Sequence, residues 1–404
     1  MTPALGNTGG ASFIAVATVT KFLMNVARRM VYPFAPEFAR GLNVDLSAIT
    51  TGIALNQTTA VLGPIGAGFA DKYGYKLLML LAVAVLTVGC FAAGLLPFYP
   101  VLMIALGLAG FAKCLFDPSL QAFIGTSVSY QHRGKLIGIM EMAWAGATLV
   151  GIPITGIIIE KFSWQTPFWI LGLFSLVCFF LILKLMPRTP ASVREKRAGK
   201  KQKTSNWKAL VKSPKVLGYL GFGFFMSMAN DNLFVVYGAW LESSYDLSLA
   251  AIGFGTIFIG LSEVLAEGCT ALFSDRIGLK RAVVCGTAMT TAAYFMLPLA
   301  DRGLPFVLAA MFWLFFSFEF TIVTSMGLGT ELMPQQRAST MAAFYAIAGI
   351  GRVVGAFSGG LVWTAFGIAG ISLVSGVVCA GALFSILLGF YKSRPAIDIP
   401  RENL

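Results

Sequence analysis

Five basic and six acidic side chains stand inside stretches that are otherwise apolar: Lys21, Arg28, Arg29, Lys113 and Arg352, against Asp117, Glu141, Asp231, Glu263, Glu267 and Glu319. In such surroundings an ionisable group holds a charged ligand, passes a proton, or pairs with another charge to fix helices in register. Left facing hydrocarbon, each would cost ~3 kcal/mol and the set about 30 kcal/mol, so they face protein or water. Nothing beside them resembles catalytic machinery. The single histidine is His132, no Ser/His/Asp constellation can be assembled, and no phosphate-cradling GxxxxGK[ST] occurs. The expected chemistry is therefore binding and proton transfer, without an enzymatic reaction, a cofactor or a metal. The six cysteines fall in the same apolar stretches without metal-ligand spacing and read as packing residues.

The elements that position these groups follow from composition. The chain has 404 residues, of which 57% are hydrophobic and only 12% charged, and a mean hydropathy of +0.79. A soluble domain carries roughly 25% charged residues, so this chain cannot cover a water-facing surface. Runs such as ILGLFSLVCFFLILKLM are too long and too uniformly apolar for the ~10-residue alternation of an outer-membrane barrel. The spacing predicts an all-α membrane protein with 12 transmembrane helices, at 12–36, 48–70, 76–97, 100–126, 135–158 and 166–186, then 215–241, 249–273, 281–300, 304–329, 338–363 and 368–391. Between the two sets, 187–215 holds ten Lys/Arg against one acid, Glu195, and reads as a cytoplasmic basic linker. The predicted organisation is 1–186, an N-terminal six-helix bundle; 187–215, the linker; and 216–404, a C-terminal bundle with a short tail.

Charge sets the orientation. Of the 30 Lys/Arg, 22 fall in loops on the side of the termini and 3 on the opposite side. By the positive-inside rule both termini are expected in the cytoplasm, in a multi-pass inner (plasma) membrane protein, with contact to anionic lipid rather than nucleic acid. The N-terminus lacks a basic region before its first apolar run, so a cleaved signal peptide is not expected.

A repeat organises the span pattern. Asp71 in FADKYGYK and Asp275 in FSDRIGLKR are 204 residues apart, as are Arg133 and Arg337, and as are Gly151 and Gly156 from Gly355 and Gly360. Parallel six-helix halves related by an axis along the membrane normal are a transporter architecture, with the substrate site at their interface. The chain resembles the major facilitator superfamily over essentially its whole length. The signature between spans 2 and 3 is matched by Asp71, Lys72, Gly74 and Lys76, and again by Asp275, Arg276, Gly278, Lys280 and Arg281, with Ala67 and Ala271 in place of its first glycine. GIPITG in span 5, followed by SWQTPFW, is similar to the drug/proton antiporter and sugar-efflux branch. The arginine that many drug antiporters carry in span 4 is absent from Ala105, Leu106 and Gly107. The resemblance implies two pseudo-symmetric bundles rocking by alternating access, and a cytoplasmic gate of Asp71, Lys72, Gly74 and Arg133 with their counterparts Asp275, Arg276, Gly278 and Arg337. The glycines allow the sharp turn, and the basic residues hold the loop at an anionic surface.

The scaffold repeats, but the charges do not: the same offset places Phe225 opposite Lys21, Asn232 opposite Arg28, Ser317 opposite Lys113, Thr321 opposite Asp117 and Tyr345 opposite Glu141. An asymmetric substrate and proton site accounts for that. At about 1.5 Å per residue, Arg28, Lys113, Asp231, Glu263, Glu319 and Arg352 lie within about 10 Å of their span midpoints. By resemblance spans 1, 4, 7 and 10 line the cavity, which selects Arg28, Lys21, Lys113, Asp231, Asn232 and Glu319, with Trp144, as the expected substrate-binding residues. Arg28 and Lys113 form a cationic N-half surface suited to a carboxylate, faced by Asp231 and Glu319. Arg29, about 100° round the helix, is expected to anchor near a neighbouring helix instead. Glu263, Glu319, Asp231, Asp117 and Glu267 are the expected proton-coupling acids, Glu263 and Glu267 as an i,i+4 pair. The alternative is that the charges pair internally, Arg28 with Asp231 and Arg352, as a buried ion-pair partner, with Glu263. Trp240 and Trp363 are expected in the interfacial belt, and Trp144 and Trp313 in the cavity. The expected protein is a monomeric, proton-coupled exporter of a small organic solute. Its alternatives are an uptake symporter or exchanger for an organic anion and, more remotely, a transport-inactive membrane sensor, which an attached soluble domain would mark.

Overall fold

The computed structural model describes residues 9–59, 73–127, 142–186 and 212–391, with 136, 140 and 210. Helices dominate, and no strand occurs among the described residues. In the first half they are α1 (Gly9–Arg29), α2 (Ala35–Leu42), α3 (Leu46–Thr58), α4 (Tyr75–Leu95), α5 (Tyr99–Ser127), α6 (Met142–Lys161) and α7 (Thr166–Leu185). In the second they are α8 (Pro214–Phe234), α9 (Tyr237–Tyr245), α10 (Leu249–Ile277), α11 (Leu279–Met296), α12 (Leu304–Leu332) and α13 (Arg337–Tyr391). Eight helices among the described residues are long and apolar enough to cross a membrane. One of these, α13, holds two crossings that meet at Gly367, where φ is 60°. With α1, α3 and α8, whose polar residues lower their hydropathy or whose described length is short, the pattern is that of 12 spans in two six-helix bundles.

The duplication is visible in the backbone. Each half contains one short helix after its first span, α2 and α9, and each ends in a left-handed residue, Asn43 (φ 53°) and Asp246 (φ 50°). Gly74 and Gly278 repeat the same positive φ, 93° and 88°, at the turn into α4 and into α11, a conformation a side chain would strain. We call the side carrying these two turns the signature face, and the side carrying α2 and α9 the far face.

Small residues set the packing. Gly351, Gly355 and Gly359, one turn apart on α13, lie against the backbone carbonyls of Phe224, Met228 and Asn232 on α8. In hydrocarbon, where water gives no drive to bury apolar surface, such close approach is what holds helices together. The bundles meet by the same device: Gly253 lies on Pro153, Gly156 on the carbonyl of Leu249, and Gly360 on Thr50. At the far face Gly238 of α9 abuts the Pro33 carbonyl, and Arg40 of α2 bridges to Glu242 of α9 at 2.7 Å. Glu160, at the end of α6, accepts from the first-turn amide of Ala250 in α10 at 2.7 Å, satisfying a helix N-terminus of the other bundle. The far face is therefore closed.

Several expectations need correction. The first span ends at Arg29 and not at 36, because residues 30–34 turn the chain into α2. Trp240 is fully buried between bundles and is no belt residue, because α9 folds back under the far face. Trp313 is 49% exposed and stacks on Phe316, about half a turn round α12 from the cavity-lining Phe315, Phe318 and Glu319, so it faces outward. Trp363 is half-buried. Asp71, Lys72, Arg133, Glu141 and nearly all of 187–215 lie outside the described residues.

Candidate functional site

A cavity of about 50 Å³ lies at the bundle junction. The first bundle contributes Arg28, Arg29, Tyr32, Asn56, Gln57 and Trp144, and the second contributes Asn230, Asp231, Phe234, Glu263, Phe315, Phe318, Glu319 and Arg352. Its mix of aromatic walls with a few placed polar groups is that of a small-molecule site.

Arg28 and Arg29 both reach it, because α1 terminates there. Arg29 is almost fully buried and donates to Glu263 of α10, with Nη2 to Oε1 at 2.8 Å. Its guanidinium also lies 4.3 Å from the Trp144 ring and 5.4 Å from the Phe234 ring. This ion pair, with its aromatic sandwich, crosses the bundle junction. The anchor expected for Arg29 exists, but it lies in the cavity wall.

Arg28 is held differently. Its Nε donates to Asn56 Oδ1 at 2.9 Å and its Nη2 to Gln57 Oε1 at 3.1 Å. The amides are themselves fixed, since Asn56 Nδ2 donates to the Leu106 carbonyl at 2.6 Å and Gln57 Nε2 to Tyr32 Oη at 2.6 Å. Gln57 and Tyr32 also donate to Asp231 Oδ1, at 3.3 and 3.5 Å, which carries the network into α8. The other Asp231 oxygen, buried and without a hydrogen bond, lies 3.8 Å from Arg352 Nε. Neither anticipated pairing is made. Arg352 faces Asp231 and not Glu263, and Arg28 faces amides and not Asp231, because inter-bundle register decides which partner is met.

Glu319, half-buried on α12, makes no hydrogen bond or ion pair among the described residues. The remaining expected residues lie elsewhere. Lys113 sits 2.8 Å from Asp117 one turn on and donates to Asn25 of α1 at 2.9 Å, so this pair ties α5 to α1. Its Nζ is 5.6 Å from Trp144, behind the wall. Asn232 has turned away from the cavity: its Nδ2 donates to Ser375 at 3.0 Å, and Ser358 donates to its Oδ1 at 3.2 Å, tying α8 to α13. Lys21 is buried in α1 outside the wall. Glu267 is exposed while Glu263 is buried, so the two do not form a matched acid pair. Of the gate residues, Gly74 and Gly278 make the turns described above, Asp275 lies in the last turn of α10, and Arg276 and Arg337 are exposed. The wall residues missed in the sequence are chiefly Tyr32, Asn56, Gln57, Phe234, Phe315 and Phe318. Adjacent amides in GIALNQTTAVLG were the available signal, because an unpaired amide is costly in an apolar span. Among the described residues no group of His, Cys, Asp or Glu could hold a metal ion.

Two six-helix halves around a central polar cavity are the plan of one transporter family, and the profile of the Major Facilitator Superfamily matches residues 17–260 and 220–403. The chain belongs to the Major Facilitator Superfamily. Similar members of the superfamily include the MFS-type transporter YceJ of Bacillus subtilis, 26% identical over 77% of this chain and 78% of that one. The multi-drug resistance efflux pump PmrA of Streptococcus pneumoniae is 24% identical over 96% and 97%. Among solved structures, a bacterial homolog of the human lysosomal transporter Spinster, inward-facing and unoccupied, superposes with a TM-score of 0.80 at 13% identity, covering 96% of this chain and 97% of that one. As a Major Facilitator Superfamily member, the chain is a multi-pass membrane transporter and not an enzyme.

Proposed function

We propose that this transporter exports a small organic solute in exchange for protons, by alternating access around the central cavity. The observation that carries the reading is Glu319, a carboxyl in the wall of a mid-membrane cavity with no hydrogen bond or ion pair among the described residues. Such a group must be balanced by a bound proton or by a ligand, and a group that alternates between the two couples their movements. Asp231 and Glu263 are already committed to Arg352, Tyr32, Gln57 and Arg29, so they serve as junction-holding acids whose release accompanies rocking. Export is supported by the likeness to PmrA, named as an efflux pump.

Further features belong to the same proposal. The signature face is cytoplasmic, by the Lys/Arg bias, in an inner membrane, so the closed far face is the gate on the opposite side. The gate of Asp71, Lys72, Gly74, Arg133, Asp275, Arg276, Gly278 and Arg337 closes the cytoplasmic side in the opposite state. The halves 1–186 and 216–404, joined by 187–215, move as the two bodies of a monomer.

The test is flux in inverted membrane vesicles with an imposed pH gradient. Accumulation of an amphiphilic dye should follow the gradient and be lost in Glu319→Gln, while counterflow without a gradient persists. Gradient-driven flux that survives Glu319→Gln would sink the coupling assignment. A second reading, uptake of an organic anion, is favoured by Arg28, and it predicts substrate entry with protons in right-side-out vesicles.

A further inference from the structure

The charge balance of the wall names a chemical class for the solute, on the premise that the cavity is the substrate site. Three guanidinium groups and three carboxylates reach the wall, equal in number but not matched in place. Arg29 and Glu263 neutralise one another at 2.8 Å, and Arg352 faces Asp231 at 3.8 Å. One charge of each sign is left over. Arg28 makes both of its hydrogen bonds to neutral amides, Asn56 and Gln57, which orient the guanidinium without cancelling its charge. Glu319 has no hydrogen bond or ion pair among the described residues. The two belong to opposite bundles, Arg28 to α1 and Glu319 to α12. Much of the remaining wall is aromatic, from Trp144, Phe234, Phe315 and Phe318.

We propose that the cavity takes an amphoteric solute, with a carboxylate seated on Arg28, a protonated amine against Glu319 and a flat apolar body along the aromatic wall. A desolvated charge is costly unless it is paired. A purely anionic ligand satisfies Arg28 and leaves Glu319 to a bound proton alone, and a purely cationic one satisfies Glu319 and leaves the Arg28 charge uncompensated. A dipolar ligand satisfies both together and also links the two bundles through itself. The fixed amides behind Arg28 pre-orient its fork for a planar carboxylate, the group a guanidinium grips with two parallel hydrogen bonds.

The experiment is isothermal titration calorimetry of the full-length, detergent-purified protein at neutral pH with three probes on one scaffold. They are an aminomethyl-biphenyl carboxylic acid, its methyl ester, which keeps only the amine, and its N-acetyl derivative, which keeps only the carboxylate. The amphoteric probe should bind roughly 10- to 100-fold more tightly than either derivative, the size expected for one charge-assisted contact. Arg28→Gln should bring it down to the level of the ester while leaving the ester unchanged. Glu319→Gln should bring it to the level of the N-acetyl derivative while leaving that one unchanged. Should Arg28→Gln fail to fold, Arg28→Lys, which keeps the charge, should retain the preference for the amphoteric probe. Equal affinities for the three probes would overturn the inference while leaving the cavity a ligand site. Absence of binding by all three would also overturn it, and the vesicle flux above would then decide separately whether the transport reading stands.

Discussion

Removing Arg29 should open the far face. In the closed state its guanidinium and Glu263 are 5% and 6% exposed and meet at 2.8 Å across the bundle junction. Deleting one partner of a buried pair costs ~3 to 5 kcal/mol, because the other charge is left without compensation. In Arg29→Met, Glu263 keeps only the hydrogen bond from Thr148 at 3.3 Å. Once the far face opens, both positions are hydrated, so the loss falls on the closed state alone. A loss of ~3 kcal/mol changes the ratio of closed to open molecules by about 150-fold, enough to invert a modest preference. Glu263→Gln should shift it less, since Arg29 keeps the Trp144 and Phe234 faces, worth ~1 to 2 kcal/mol when desolvated. The double variant Arg29→Met/Glu263→Met removes both charges and should return most of the closed population. The readout is double electron–electron resonance between nitroxides at Leu96→Cys and Leu299→Cys, exposed far-face positions in opposite bundles, after replacement of the six native cysteines. An unchanged distance distribution in Arg29→Met would refute the argument, as would a double variant as open as the worse single one.

Two other outcomes follow from local geometry. Gly238→Ala and Gly218→Ala should separate stability from conformational balance. A methyl at Gly238 collides with the Pro33 carbonyl across the bundles and should favour the far-open state in the same resonance assay, with little change in melting temperature. A methyl at Gly218 would lie 2.6 Å from the Gly389 Cα within one bundle, and should lower the melting temperature by the ~1 to 3 kcal/mol of an overpacked contact, leaving the label distance alone. Tyr245 donates to Asp301 at 2.6 Å at the far face, and its hydroxyl is pushed up to about 12 by burial and by the Asp301 carboxylate. Because the folded value is raised above the ordinary 10.0, its contribution to stability is whole below pH 10.0 and is lost as the pH climbs through about 12. An ultraviolet difference titration against Tyr245→Phe should show one phenol missing near pH 12, and the variant should lose less stability over that interval.

The spans, the duplication and the presence of buried charges were legible because each rests on a one-dimensional signal: hydropathy over about 20 residues, a constant offset, and the cost of a lone ion in lipid. Partner choice was not. Arg352 meets Asp231 and Arg29 meets Glu263 because of how two bundles register against each other, a relation no helical period within one span encodes. Arg29 does anchor on another helix, but its place in the cavity wall was not legible, because α1 ends at that residue and a long side chain at a helix end can reach the cavity from either side. Trp240 and Trp313 show the same limit from two directions. One is fully buried on a short helix after the span and the other faces out from a cavity-lining span, so depth along the helix told nothing of azimuth.

The helix of span 5 widens into a π-helical turn at Ala147–Gly151, just before Pro153. Such a turn shifts backbone carbonyls out of their usual partners. The Thr148 carbonyl accepts from Thr256 of the opposite bundle at 3.2 Å, and the Thr148 hydroxyl donates to Glu263. This stretch of helix has lent part of its own hydrogen bonding to its neighbour. When the bundles part, that carbonyl must be met by something else, and hydrocarbon offers nothing. Water entering the parting seam is therefore a structural requirement of the opposite state as well as a consequence of access. A seam that stays dry should stay shut.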